Sequence, residues 1–182
     1  WIAMKNNVMI ALFVIFLLLT VLMRSFILPF VIVITVPIAG AGGVMGLVFL
    51  NQFTAQSMDM LTMLGFIILT GIVVNNSILM VEQTLWHIRY ESMKISEAIT
   101  EATRNRIRPI FMSTLTSLFG LIPLIIFPGS GSELYRGIGT VVFGGLSTSA
   151  ILTLLMVPPL LALALKFEKV KPISQIKQEE FV

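Results

Sequence analysis

Four stretches of the chain carry no charged side chain over lengths that suit a membrane span: residues 25–58, 60–81, 109–132 and 137–165 contain no Asp, Glu, Lys or Arg. A fifth stretch, Asn6 to Met23, is similar but shorter. A bilayer core of ~30 Å is crossed by about 20 apolar residues in a helix. The pattern therefore predicts an all-α integral membrane protein, with a function exercised in or across a lipid bilayer. Composition agrees: 57% of residues are hydrophobic and only 12% charged, against about 25% charged in a soluble domain.

Five spans are expected, at about residues 6–23, 27–50, 60–82, 109–128 and 137–165, with the first marginal in length. Pro29 marks the start of the second span. Asn51, Gln52 and Asp59 bound a short polar loop, and Pro109 opens the fourth span, where a missing N–H costs least. The run Pro128-Gly129-Ser130-Gly131-Ser132 reads as a flexible turn, and Pro158-Pro159 as a bend in the last helix.

The Lys and Arg residues set an orientation. With five spans, Arg24, Arg89, Lys94, Arg104, Arg106, Arg108, Lys166, Lys169, Lys171 and Lys177 fall on one side, and only Lys5 and Arg136 on the other. That bias predicts an N-terminus outside the cytoplasm, a C-terminus inside, and a cytoplasmic tail over 168–182. The basic residues sit in particular loops rather than in one patch, so the net charge of +3 is no nucleic-acid footprint. There is no Cys, and His87 is the single His, too little for a zinc site. No nucleophile–base pair or phosphate loop is visible either, which sets enzymatic chemistry aside. The chain starts at Trp1 rather than Met, as a fragment or a processed product would.

Residues 83–108 form the only long cytoplasmic connection. In it Ile95, Ala98, Ile99 and Ala102 share one helical face, and Lys94, Glu97, Glu101 and Arg104 the other. An amphipathic helix at the membrane surface is expected between spans three and four.

Polar residues inside lipid are costly and favour the interior of a bundle. Asn75 and Asn76 lie deep in span three, and Glu82 follows Asn75 by seven residues, on the same helical face. Span four carries Ser113, Ser117 and Gly120 on one face, with Arg106 seven residues before Ser113. Such a chain of guanidinium, hydroxyl and amide groups can hold water and pass protons. It can equally be glue between helices, with hydroxyls bonded to their own backbone. Gly40, Gly42, Gly43 and Gly46 in span two, and Gly137, Gly139, Gly144 and Gly145 in span five, point to close helix packing. Met58, Met60 and Met63 raise the idea of a soft metal ion as cargo, though Met also fills gaps in apolar cores.

Four segments resemble the resistance-nodulation-division (RND) exporters, and within them the hydrophobe/amphiphile drug-efflux branch. They are Arg24-Ser25-Phe26-Ile27-Leu28-Pro29-Phe30 followed by Val36-Pro37-Ile38; the run from Gly71 through Asn75-Asn76 to Glu82; Glu97-Ala98 leading to Arg106-Ile107-Arg108-Pro109-Ile110 and Met112-Ser113-Thr114; and Gly137-Ile138-Gly139-Thr140 with Gly144-Gly145 and Val157-Pro158. The resemblance covers about residues 8–167 and implies the last five of twelve helices, with 1–167 as the C-terminal transmembrane region. It also implies a homotrimer in the bacterial inner membrane, working with a periplasmic adaptor and an outer-membrane channel. Such a pump is powered by the proton motive force and needs no cofactor. The first half of the permease, its partner aspartates and its porter domains lie outside this sequence. Carried over residue by residue, the proton relay falls on Asn75, Asn76, Arg106 and Ser113. Asn75 departs from the family pattern, since many drug pumps have Lys there and a neutral amide supplies no positive charge. Export of metal ions or lipids, or a truncated subunit without transport of its own, are the alternatives.

Overall fold

The computed structural model describes residues 2–53, 56–127 and 132–167, the side chains of 2–5, 7, 8 and 132–134 excepted. Six α-helices follow one another: α1 (Ile2–Met23), α2 (Ile27–Val33), α3 (Thr35–Leu50), α4 (Met60–Tyr90), α5 (Ile95–Ile126) and α6 (Ser132–Phe167). Four segments are long and apolar enough to cross a membrane: Ile27–Leu50, Met60–Tyr90, Ile95–Ile126 and Tyr135–Phe167. In α1, Met9–Met23 is a shorter apolar helix. The protein is thus an all-α membrane protein. The expected turn over 128–131 and the tail over 168–182 lie outside the described residues.

The span expected over 27–50 is found with those bounds, built of two helices with Ile34 in a turn between α2 and α3. Pro37 has no N–H to offer the Val33 carbonyl, and its ring crowds that carbonyl, so α2 stops at Val33. One expectation needs correction: the separate surface helix between spans three and four does not exist. Helix α4 runs on to Tyr90, and α5 begins at Ile95 and passes unbroken through Pro109. The long connection shrinks to residues 91–94. Residues 95–108 include Glu97, Ala98, Glu101, Ala102, Arg104, Arg106 and Arg108, types that favour helix whether or not lipid surrounds them.

The chain divides into two compact units, the first made of residues up to Val33, Ser77–Arg108 and from Leu154 on, the second of Ile34–Asn76 and Pro109–Thr153. In the first, α1 packs on α2 across a tight reversal. Arg24 adopts the left-handed conformation (φ 51°), and the buried Ser25 hydroxyl oxygen accepts the N–H groups of Ile27 and Leu28 at 3.2 Å each, capping α2. Val81, Leu85 and Ile88 form a buried stripe on α4. On α5 the expected apolar face is buried in protein rather than laid on lipid, with Ala98 and Ala102 both 0% exposed. The turn joining α4 to α5 reverses through Ser92 (φ 53°). The His87 carbonyl accepts the N–H of Glu91 (3.2 Å) and of Met93 (3.3 Å). The buried His87 ring meets the Glu91 carboxylate through Nδ1 at 2.6 Å.

In the second unit, Ala39, Leu47, Leu69, Val73, Val141, Val142 and Leu146 form the core, with Phe66, Leu118 and Leu121 against it. Helix α6 meets α3 at backbone distance. A Cβ on Gly144 would lie 2.7 Å from the Gly42 carbonyl oxygen and 2.9 Å from the Gly46 Cα. It also meets α4, where a Cβ on Gly65 would lie 3.1 Å from the Ile138 Cα. The glycines expected to pack helices do so with the exception of Gly40, which has nothing within 4 Å. Three hydroxyls on α6 spend their donors on their own helix: Thr140, Ser147 and Thr148 donate to the carbonyls of Arg136, Phe143 and Gly144 at 2.8, 2.8 and 2.9 Å.

Asp59 starts α4 by accepting the Thr62 N–H at 2.7 Å. Hydrogen bonding by the Thr62 hydroxyl, and then by its N–H, holds the Asp59 carboxyl below the usual carboxylate range. Its cap therefore contributes fully above the unfolded-state value and is lost as pH falls through the lowered one. Asp59→Ala should cost about 1 kcal/mol near neutral pH. In thermal unfolding series run down in pH, the gap between wild type and variant should close in acid; a gap independent of pH would contradict the assignment.

Candidate functional site

The sequence-predicted residues fall in both units, and each is described in its own. In the second, α4 carries Asn75 exposed and Asn76 half-buried. Neither side chain makes a hydrogen bond within the described residues of that unit. Ser113 on α5 is exposed, and its hydroxyl donates to the Ile110 carbonyl at 3.1 Å. Thr116 and Ser117, one turn on, and Gly120 after them are exposed as well, whereas Thr114 is buried. The spacing of Ser113, Thr116, Ser117 and Gly120 is that of one helical face, so α5 turns a stripe of hydroxyls and a bare glycine backbone outward from its unit. No other span is so little covered: 11% of its most apolar window is buried, against 33% to 50% for the other three. Ser113 and Thr116 spend their donors on their own helix, the latter on the Met112 carbonyl at 2.8 Å, and keep oxygen lone pairs free to accept from other groups.

In the first unit, Arg106 is half-buried on α5, and its Nε–H donates to the Gln83 Oε1 on α4 at 2.6 Å. This is a charge-assisted bond, of the stronger class. It clamps the α4–α5 hairpin and fixes the direction of the guanidinium plane, leaving the remaining N–H groups for other acceptors. Gln83 was not anticipated from the sequence. It follows Asn76 by seven residues, the spacing of one helical face, and that signal was available. Among the described residues no group of three or more His, Cys, Asp or Glu could hold a metal ion. Met58 and Met60 are exposed at the start of α4, and Met63 is half-buried.

Spans packed through glycines, with an amide and a row of hydroxyls exposed on two of them, define a polytopic membrane protein. The chain belongs to the AcrB/AcrD/AcrF family, whose sequence profile matches residues 4–164, and so to the RND permeases. Among solved structures it is similar to the X-ray crystal structure of a heavy metal efflux pump, with 31% identity and a TM-score of 0.75 over 88% of this chain. It spans 16% of that chain.

Proposed function

We propose that the chain supplies the proton-translocating helices of an efflux permease in the bacterial inner membrane, which exchanges inward proton flow for export of drugs or other amphiphilic compounds. Residues 1–167 form its C-terminal transmembrane region, with the N-terminus periplasmic and the C-terminal tail, 168–182, cytoplasmic. The observation that carries this reading is the uncovered polar set on two spans, Asn75 on α4 and the Ser113 stripe on α5, in a chain of this family. Asn75, Asn76 and Ser113 orient water, and Arg106, aligned by Gln83, offers a fixed positive charge. The carboxylates that load and release the proton come from the other half of the permease, and the porter domains from periplasmic regions outside this sequence. A homotrimer with a periplasmic adaptor and an outer-membrane channel completes the pump. With Asn75 in place of Lys, Arg106 is the permanent cation of the relay.

A second reading, export of metal ions, is favoured by the similarity to a heavy metal efflux pump. The two separate in a strain stripped of its own pumps and given the complete permease with its partners. Raised tolerance to amphiphilic drugs and dyes supports the first reading. Tolerance raised only to silver, copper, zinc or cobalt overturns it in favour of the second.

A further inference from the structure

The first unit holds a cavity of about 260 Å³ that the relay does not use, between the end of α1 and the last two turns of α4. Leu22, Met23, Glu82, Leu85, Trp86, Arg89 and Tyr90 line it. Its depth in the bilayer follows from the sequence. The charge-free run 60–81 rises about 33 Å as a helix, close to the thickness of the hydrocarbon core. Glu82 is the first charged residue beyond it, and Arg89 lies on the same face about 10 Å further along the axis. The cavity thus opens at the level of the lipid headgroups.

The chemistry of its wall is specific. Met23 and Leu85 are buried and make an apolar floor. Trp86 and Tyr90 stack with ring centroids 5.9 Å apart and stand 48% and 65% exposed. Glu82 and Arg89 bracket the rings, and neither has an ion-pair or hydrogen-bond partner among the described residues. The cavity therefore presents one cation, one anion and an aromatic surface between them, at a depth where an interfacial Trp and Tyr are at home. An anionic lipid would satisfy Arg89 and be repelled by Glu82. A zwitterion satisfies both: its phosphate accepts from the guanidinium, and its ammonium lies against the Glu82 carboxylate and the Trp86 face.

We propose that this cavity is a binding site for a membrane phospholipid with a zwitterionic, primary-amine headgroup, held by Arg89 through its phosphate and by Glu82 and Trp86 through its ammonium. The site requires only that the chain cross a bilayer, so it stands or falls independently of proton coupling and cargo.

The test uses the complete permease, delipidated in detergent and titrated with phosphatidylethanolamine or phosphatidylglycerol while bound lipid is counted by native mass spectrometry. The wild type should carry a site preferring phosphatidylethanolamine by about ten-fold, as a charge-assisted hydrogen bond provides. Glu82→Gln should abolish the preference, and Arg89→Gln should weaken both lipids alike. A wild type without preference, or a Glu82→Gln variant that keeps it, overturns the proposal. A second measurement needs no variant: photoactivatable lipids in vesicles of equal phosphatidylethanolamine and phosphatidylglycerol, with the adducts mapped on the wild type. Adducts of the amine lipid concentrated on residues 85–90 support the site. Equal labelling by both lipids, or none because other protein fills the cavity, overturns it.

Discussion

Gly144→Val is expected to remove the folded permease from the membrane. The reason is geometric. The first carbon of any side chain at 144 would meet the Gly42 carbonyl oxygen at 2.7 Å and the Gly46 Cα at 2.9 Å, both of them backbone. A flexible side chain could swing aside; two helix backbones can only move apart. Separation would open the core in which Ala39 and Leu47 of α3 pack with Val141 and Leu146 of α6. Overpacking of a filled core costs about 1–3 kcal/mol, and a branched side chain against backbone belongs at or above the upper end. Gly144→Ala should give a smaller loss of the same sign. Gly40→Ala is the internal control. Nothing lies within 4 Å of a Cβ there, so the substitution should be neutral, or stabilising by up to about 1 kcal/mol through helix propensity. Melting of the detergent-solubilised permease, followed by size-exclusion chromatography, orders the three. If Gly144→Ala melted with Gly40→Ala, the α3–α6 contact would not be as close as described.

Arg106→Ala should reduce efflux to the level of a strain without the pump, while the protein remains in the membrane at near-normal amounts. Arg106 is half-buried, and the bond it loses is a single one to Gln83. The cost to stability is therefore on the order of 1–3 kcal/mol, within reach of a large helical protein. The cost to transport is of another kind. If Asn75 brings no charge to the relay, Arg106 is its fixed cation, and Arg104 and Arg108, two residues to either side, lie on other faces of α5. Arg106→Lys keeps the charge but not the planar fork that meets Gln83, and partial activity is expected. Gln83→Ala leaves the guanidinium in place but frees its direction, and should give an intermediate loss. Proton uptake coupled to substrate addition, read in proteoliposomes of the complete permease, distinguishes lost coupling from lost protein. Full drug tolerance in cells carrying Arg106→Ala would end the assignment.

The positions of the spans were legible because hydropathy reports directly on lipid: the charge-free runs at 60–81 and 137–165 lie inside α4 and α6. The helix ends were less legible, because hydropathy marks where lipid ends and a helix does not have to end with it. Residues 83–90 and 95–108 are polar yet helical. Proline was ambiguous for a related reason. Pro37 ends a helix at Val33 while Pro109 sits inside one, and whether a chain tolerates the missing hydrogen bond depends on what holds the two sides, which a local sequence does not state. Among the site residues, Asn75, Asn76 and Ser113 stood out as polar groups in apolar runs. Gln83 did not, since it lies two residues past the charge-free run, beside Glu82, where polar side chains are ordinary. Its role became visible only when the short α4–α5 turn brought Arg106 beside it.

That turn has a mechanical meaning. A tether of 26 residues would let one helix slide by a full turn, about 5.4 Å, without the other taking notice. The actual tether is residues 91–94, closed by backbone bonds to the His87 carbonyl and cinched below by Gln83 and Arg106. It has almost no backlash. Any displacement of the last turns of α4 along their axis would be handed to the first turns of α5 with little loss.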